Sequence, residues 1–116
     1  MARVSSILIY PDKDEPGQTL ETSHVSAEGL AGDRRKKSPV HLVAVGDYID
    51  MHPRANLIVD IDSDALHALV GRRLRIGTVE LDVTTLAGDC AGVYAAVPVP
   101  GDLTVGDQLL VGVPSD

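Results

Sequence analysis

The chain has 116 residues, with ten Lys and Arg against seventeen Asp and Glu, a formal net charge of −7, and 44% hydrophobic residues without a single Phe or Trp. That length suits one domain over residues 1–116, with an aliphatic core that needs no disulfide. The acidic balance argues against nucleic acid, which requires an extended Lys and Arg surface; no apolar run reaches the roughly 18 residues of a membrane span.

In chain order, RVSSILIY (residues 3–10) is rich in β-branched types and stops at Pro11, which predicts a first strand followed by the polar loop PDKDEPGQ. TLETSHVS alternates Leu20, Thr22 and His24 against Glu21, Ser23 and Val25, a second strand whose inward face the pattern leaves open. A glycine and basic segment, EGLAGDRRKK, leads to PVHLVAV, a strand in which Pro39 suits only the start or an edge. GDYIDMHPR predicts at most two helical turns, capped by Gly46 or Asp47 and stopped by Pro53. NLIVDI reads as a buried strand. SDALHALVG reads as a short helix with Asp62 or Ser63 as N-cap, Leu66, Leu69 and Val70 on one face, and Gly71 at its end.

RLRIGTVELDVT alternates on both sides of Gly77-Thr78 and predicts a hairpin. GVYAAVPV and LTVGDQLLVGV follow as strands about a Pro100-Gly101-Asp102 turn. Roughly seven or eight short strands with frequent turn signals, and two short helices, predict a mainly β fold, a small closed or nearly closed β-barrel.

Motifs narrow the chemistry. Asp60, Asp62 and Asp64 have the spacing that begins a calcium loop, but Ala65 and Gly71 stand where its glycine and glutamate belong. The four histidines form no HExxH pattern, and neither a nucleophile elbow nor a phosphate loop of the GxxxxGK type is present. No general acid and base pair is evident, so independent turnover is not indicated. The N-terminus is too short and too soon acidic for a signal peptide, and a cytoplasmic location is expected.

Two segments remain. In EGLAGDRRKK, Gly29 and Gly32 permit positive φ, letting backbone N–H groups turn inward, and Arg34 and Arg35 bring planar donors for phosphate or carboxylate. Asp33 there suits bracing the turn or orienting an arginine. In LAGDCAGVYAAV the lone Cys90 sits among small residues, where neighbouring cations would raise its thiolate fraction and Asp89 would oppose it. His41, just past the basic run, is placed to turn towards whatever that run binds.

The order EGLAGDRR, PVHLV, RANLIV, LVGRRLRIGTVELDVT, a lone cysteine, then GVYAAV and LTVGDQLLV, resembles the MOSC domain, named for the C-terminal domain of molybdenum cofactor sulfurases. The likeness runs from about Arg3 to Val113. It implies a compact β-barrel that binds molybdenum cofactor (molybdopterin), with Cys90 carrying persulfide sulfur or contacting molybdenum. On that likeness Gly32, Asp33 and Arg34 match the family's GDR on the pterin-phosphate side, and Asn56 matches its RxNL asparagine. Arg35, Lys36, Lys37 and Arg54 supply neighbouring positive charge.

A cysteine desulfurase as sulfur donor and a molybdoenzyme as acceptor are the implied partners; pyridoxal phosphate belongs to a separate domain of the large sulfurases and has no site here. The chain departs from the family in Asp89 before the cysteine and in having only Ala91 before Gly92, which implies a shallow, open pocket. Of a different class is a non-catalytic β-barrel module that binds a small anion or a protein, with Cys90 structural and the VPVPGDLTV edge available for a homodimer.

Overall fold

The computed structural model describes residues 2–12, 15–34, 38–51, 54–88 and 91–114. The first strand, β1 (Val4–Ile9), is followed by β2 (Gln18–Leu20), β3 (Thr22–Ser26) and β4 (Gly29–Leu30). Next come β5 (Val40–Ala44), α1 (Val45–Met51), β6 (Leu57–Val59) and α2 (Ser63–His67). The chain then continues through β7 (Arg72–Ile76), β8 (Val79–Leu86), β9 (Val93–Val99), β10 (Gly101–Thr104) and β11 (Leu110–Pro114).

Eight of these strands form one curled sheet in the order β11-β7-β8-β9-β5-β6-β1-β2, a half-barrel; β10-β3-β4 form a second, small sheet. Every pairing is antiparallel except β5 with β6, which are joined through α1 and run parallel. The small sheet brings Val25, Leu30 and Leu103 into the same core as Ile7, Leu42, Leu57, Leu74 and Leu81 of the large one. The mainly β, barrel-like architecture is therefore the expected one, filled by aliphatic side chains. No helix among the described residues is long and apolar enough to cross a membrane.

The predicted hairpin is present, with Ile76 opposite Val79 across a turn whose Gly77 has φ 60°. Arg73 on its outer face pairs with Asp82 at 2.8 Å and Glu80 at 3.5 Å. Several boundaries differ from expectation. The strand predicted over 19–26 breaks at Glu21, because Leu20 belongs to the partner of β1 whereas Thr22 begins the small sheet. There Ser23 and Val25 point inwards and Thr22 and His24 outwards. The glycine segment itself supplies β4, which pairs with β3.

Helix α1 begins at Val45 directly out of β5, so neither Gly46 nor Asp47 is its cap, and the expected stop at Pro53 lies outside the described residues. Asp62 does cap α2, its side chain accepting from the Asp64 N–H at 3.2 Å. That helix is shorter than expected: only Leu66 is buried, Leu69 is half-buried and Val70 is exposed beyond the helix end. Gly101 and Asp102 belong to β10 rather than to a turn, so Pro100 marks a passage from β9 into the other sheet; LTVGDQLLVGV, expected as one strand, divides into β10 and β11 in different sheets, and of VPVPGDLTV only the β10 part lies at a sheet edge.

Strand periodicity sorts side chains between two faces. Val40, Leu42 and Ala44 of β5, Ile7 and Ile9 of β1, and Leu57 and Val59 of β6 enter the main core. The intervening Val43, Leu8 and Ile58 form a second cluster with Ala55 on the opposite face. Tyr10, Val45, Tyr48 and Ala91 pack against that second cluster. This face carries the candidate site.

Candidate functional site

Asn56 is the centre of the site. It immediately precedes β6 and is fully buried, so its amide must find its partners inside the protein. Its Oδ1 accepts from the His41 backbone N–H at 3.1 Å, and its Nδ2 donates to the Leu8 carbonyl at 3.3 Å and to Asp33 Oδ2 at 2.9 Å. Backbone bonds from Leu8 N to Asn56 O and from Asn56 N to His41 O complete the junction of β1, β5 and β6. Asn56 is thus a brace between three chain segments.

Asp33 is the second brace. Its Oδ1 accepts from the Tyr10 N–H at 2.8 Å while Oδ2 takes the Asn56 amide. Of the two roles expected of Asp33, bracing the turn or orienting an arginine, these bonds to the Tyr10 backbone and the Asn56 amide are those of a brace. The turn needs its glycines: Gly32 has φ 84°, and Gly29, at φ 114°, lies where a Cβ would fall 2.5 Å from the Pro39 carbonyl oxygen. The Arg34 N–H then meets the Tyr10 carbonyl at 3.4 Å, fixing that residue beside the end of β1.

His41 connects this junction to the other motif. Its ring is buried, lies 5.0 Å from the Tyr94 ring, and through Nε2 donates to the Ala91 carbonyl at 2.6 Å. Because a carbonyl only accepts, Nε2 carries the proton. The segment from Ala87 to Gly92 is closed by the Ala87 N–H to Gly92 carbonyl bond of 3.1 Å. At Gly92, with φ 89°, a Cβ would come within 2.0 Å of the Leu42 carbonyl oxygen. A continuous hydrogen-bonded path, Asp33–Asn56–His41–Ala91, therefore links the Gly32-Asp33-Arg34 turn to the residue after Cys90.

Tyr10, Asp33, Arg34 and Arg54 line a pocket of about 100 Å3. The Arg54 guanidinium carbon stands 4.8 Å from the centroid of the Tyr10 ring, a cation–π contact, and its Nη2 donates to the Glu15 carbonyl at 2.5 Å. Burial pushes the Tyr10 hydroxyl above the usual phenol value, Tyr48 and Asp33 adding to the effect and Arg54 opposing it. The phenol is accordingly a neutral donor at physiological pH.

A larger groove of about 380 Å3 lies at the β11 edge, lined by Arg73, Arg75, Glu80 and Leu110 among others. Its Arg73 is already occupied by Asp82 and Glu80, so it offers less free positive charge than its size implies. Among the described residues no group of three or more His, Cys, Asp and Glu converges to hold a metal.

Of the residues singled out from the sequence, Gly32, Asp33, Arg34, His41, Arg54 and Asn56 gather in this region. Arg35, Lys36, Lys37 and Cys90 lie outside the described residues. Tyr10 and Gly17 were missed. The signal for Tyr10 was its place at the outward-facing end of β1, and Gly17 shows its role only when the fold brings it to the Tyr10 ring, where a Cβ would meet Cε1 at 2.5 Å.

The structure aligns with the crystal structure of the YuaD protein from Bacillus subtilis at a TM-score of 0.79 and 14% identity, over 98% of this chain and 97% of that one. It aligns with a hypothetical protein at 0.76 and 12% identity, over 94% of this chain and 65% of the other. With YiiM from Geobacillus stearothermophilus the TM-score is 0.70 at 12% identity, over 97% and 75% of the two chains. At these identities the likeness is one of fold. No family model matches the chain, and no curated protein matches it.

Proposed function

We propose that this chain, whose fold is MOSC-like, holds molybdenum cofactor by its phosphate and carries sulfur on Cys90 between a cysteine desulfurase and a molybdoenzyme. The observation that supports this reading is the path Asp33–Asn56–His41–Ala91, which couples the arginine-bearing turn to the neighbour of the only cysteine. The donor set fits the cofactor's phosphate alone: two guanidinium-bearing residues and a neutral phenol line a pocket of about 100 Å3, too small for a pterin, beside an Asp33 carboxylate whose oxygens already accept from the Tyr10 N–H and the Asn56 amide.

In this scheme Arg34 and Arg54 neutralise the phosphate, with Arg35 and Lys37 as further sources of charge. Asp33 and Asn56 hold the turn, and His41 holds the Ala91 side of the cysteine segment. The Cys90 thiolate takes the terminal sulfur of the donor's persulfide, the donor cysteine leaving as thiolate; an acceptor thiolate then takes the same sulfur as a new persulfide, and Cys90 leaves as thiolate. The bound cofactor would supply a molybdenum centre able to receive sulfur.

The test is gel filtration of the protein with anaerobically released molybdenum cofactor, following pterin absorbance. Co-elution is expected, lost in the Arg34→Ala, Arg54→Ala double variant and weakened in Cys90→Ala; absence of co-elution removes the carrier role. Mass spectrometry after exposure to a cysteine desulfurase should add sulfur to Cys90, and an unmodified Cys90 removes the relay. Labelling of Cys90 only on unfolding would instead favour a non-catalytic module with a structural cysteine.

A further inference from the structure

Tyr10 touches each of the other three residues that line the pocket. Its N–H donates to Asp33, its carbonyl accepts from Arg34, and its ring supports the Arg54 guanidinium. The loop that returns from β1 to β2 contributes the Glu15 carbonyl to the same guanidinium and sets Gly17 against the ring, where a Cβ would fall 2.5 Å from Cε1 and 2.9 Å from Cζ. An arginine side chain has many rotamers, and ordering it on an aromatic face before a ligand arrives lowers the entropy lost on binding.

We infer that Tyr10 is the positioning residue of this pocket: its ring, kept in place by the absence of a side chain at Gly17, aims Arg54 at a tetrahedral oxyanion of phosphate size. The inference rests on the anion-holding reading above and adds to it a residue and a mechanism. The ring does the positioning and the hydroxyl is secondary, so Phe should replace Tyr and Leu should not. The oxyanion is either free phosphate or the phosphate group of an ester, and both present tetrahedral, negatively charged oxygens to Arg34 and Arg54.

The experiment titrates the full chain with inorganic phosphate and, separately, with phenyl phosphate by calorimetry, with far-ultraviolet circular dichroism as a check on folding. Wild type should bind; tighter binding of the ester identifies a phosphate group as the occupant, and equal or weaker binding identifies the free ion, both supporting the oxyanion assignment. Tyr10→Phe should stay within about threefold of wild type, and Tyr10→Leu should weaken binding about tenfold, the range expected for a partly buried cation–π support.

Phosphate should also perturb the near-ultraviolet absorbance of tyrosine in wild type and not in Tyr10→Phe, a signature that a purely structural role would not produce. Should Tyr10→Leu fail to fold, Gly17→Ala displaces the ring without altering any side chain of the pocket and should weaken phosphate several-fold. Unchanged affinity in Tyr10→Leu or Gly17→Ala, with weakened affinity in Arg54→Ala, overturns the role of Tyr10 alone. No binding by wild type overturns both this inference and the anion site on which it rests.

Discussion

Asn56 makes a strong demand on its surroundings: a fully buried amide whose Nδ2 makes two hydrogen bonds and whose Oδ1 accepts another. Leucine at this position fills the space but leaves the His41 N–H without its acceptor and the Leu8 carbonyl and Asp33 carboxylate without that donor. Unmet buried groups cost more than the bonds themselves contribute, so Asn56→Leu should lower the unfolding free energy by about 2–4 kcal/mol in urea denaturation. Tyr10 yields a pH prediction. Its folded pKa is raised, chiefly by burial, so above the ordinary phenol value of about 10 the unfolded chain ionises while the folded one does not. The stabilisation is complete below that value and is lost as pH rises through the folded pKa. Urea midpoints should fall between pH 9 and pH 11, and the fall should be smaller in Tyr10→Phe; an identical fall in both would contradict the assignment. At this scale the bracing role of Asp33 was legible because a glycine turn is a local pattern, whereas Asn56 stood out only through the resemblance of RANLIV to a family segment. Tyr10 was not, since its importance comes from the Asp33-Arg34 turn and Arg54, which only the fold brings to it.

Between elements, the hairpin of β7 and β8 was readable because alternation and a two-residue turn specify register locally. The break at Glu21 and the passage at Pro100 were not, because alternation continues unchanged when a strand leaves one sheet for another. The same limit applies to the connection between β8 and β9. Gly92 has the sequence signature of any loop glycine, yet its φ of 89° and the 2.0 Å approach of a Cβ to the Leu42 carbonyl show that this residue is pressed against β5. Gly92→Ala should therefore cost about 3 kcal/mol or more, from combined strain and overlap. The displacement would also stretch the His41 to Ala91 bond, so native-state labelling of Cys90 should change rate. A thermal melt together with labelling kinetics checks both; Gly71→Ala, at a similar φ but with open space around it, should cost much less.

For the whole molecule, one sheet serves two purposes on its two faces. The main core, with Leu74 fully buried, closes the large sheet against the small one and carries most of the stability. The smaller cluster around Ile58 lies beneath Tyr10, Tyr48 and Ala91, the apolar floor of the candidate site. Truncation in the first should act on stability alone. Leu74→Ala is expected to lower the unfolding free energy by about 2–5 kcal/mol, with phosphate affinity of the folded protein unchanged. Ile58→Ala should cost a comparable amount, but the cavity it leaves adjoins the side chains that place Arg54 and the Ala91 segment, so affinity should fall as well. Calorimetric titration of both variants under conditions where each is fully folded separates the cases. Equal loss of affinity in the two would mean that the site depends on global stability rather than on the outer face of β1, β5 and β6.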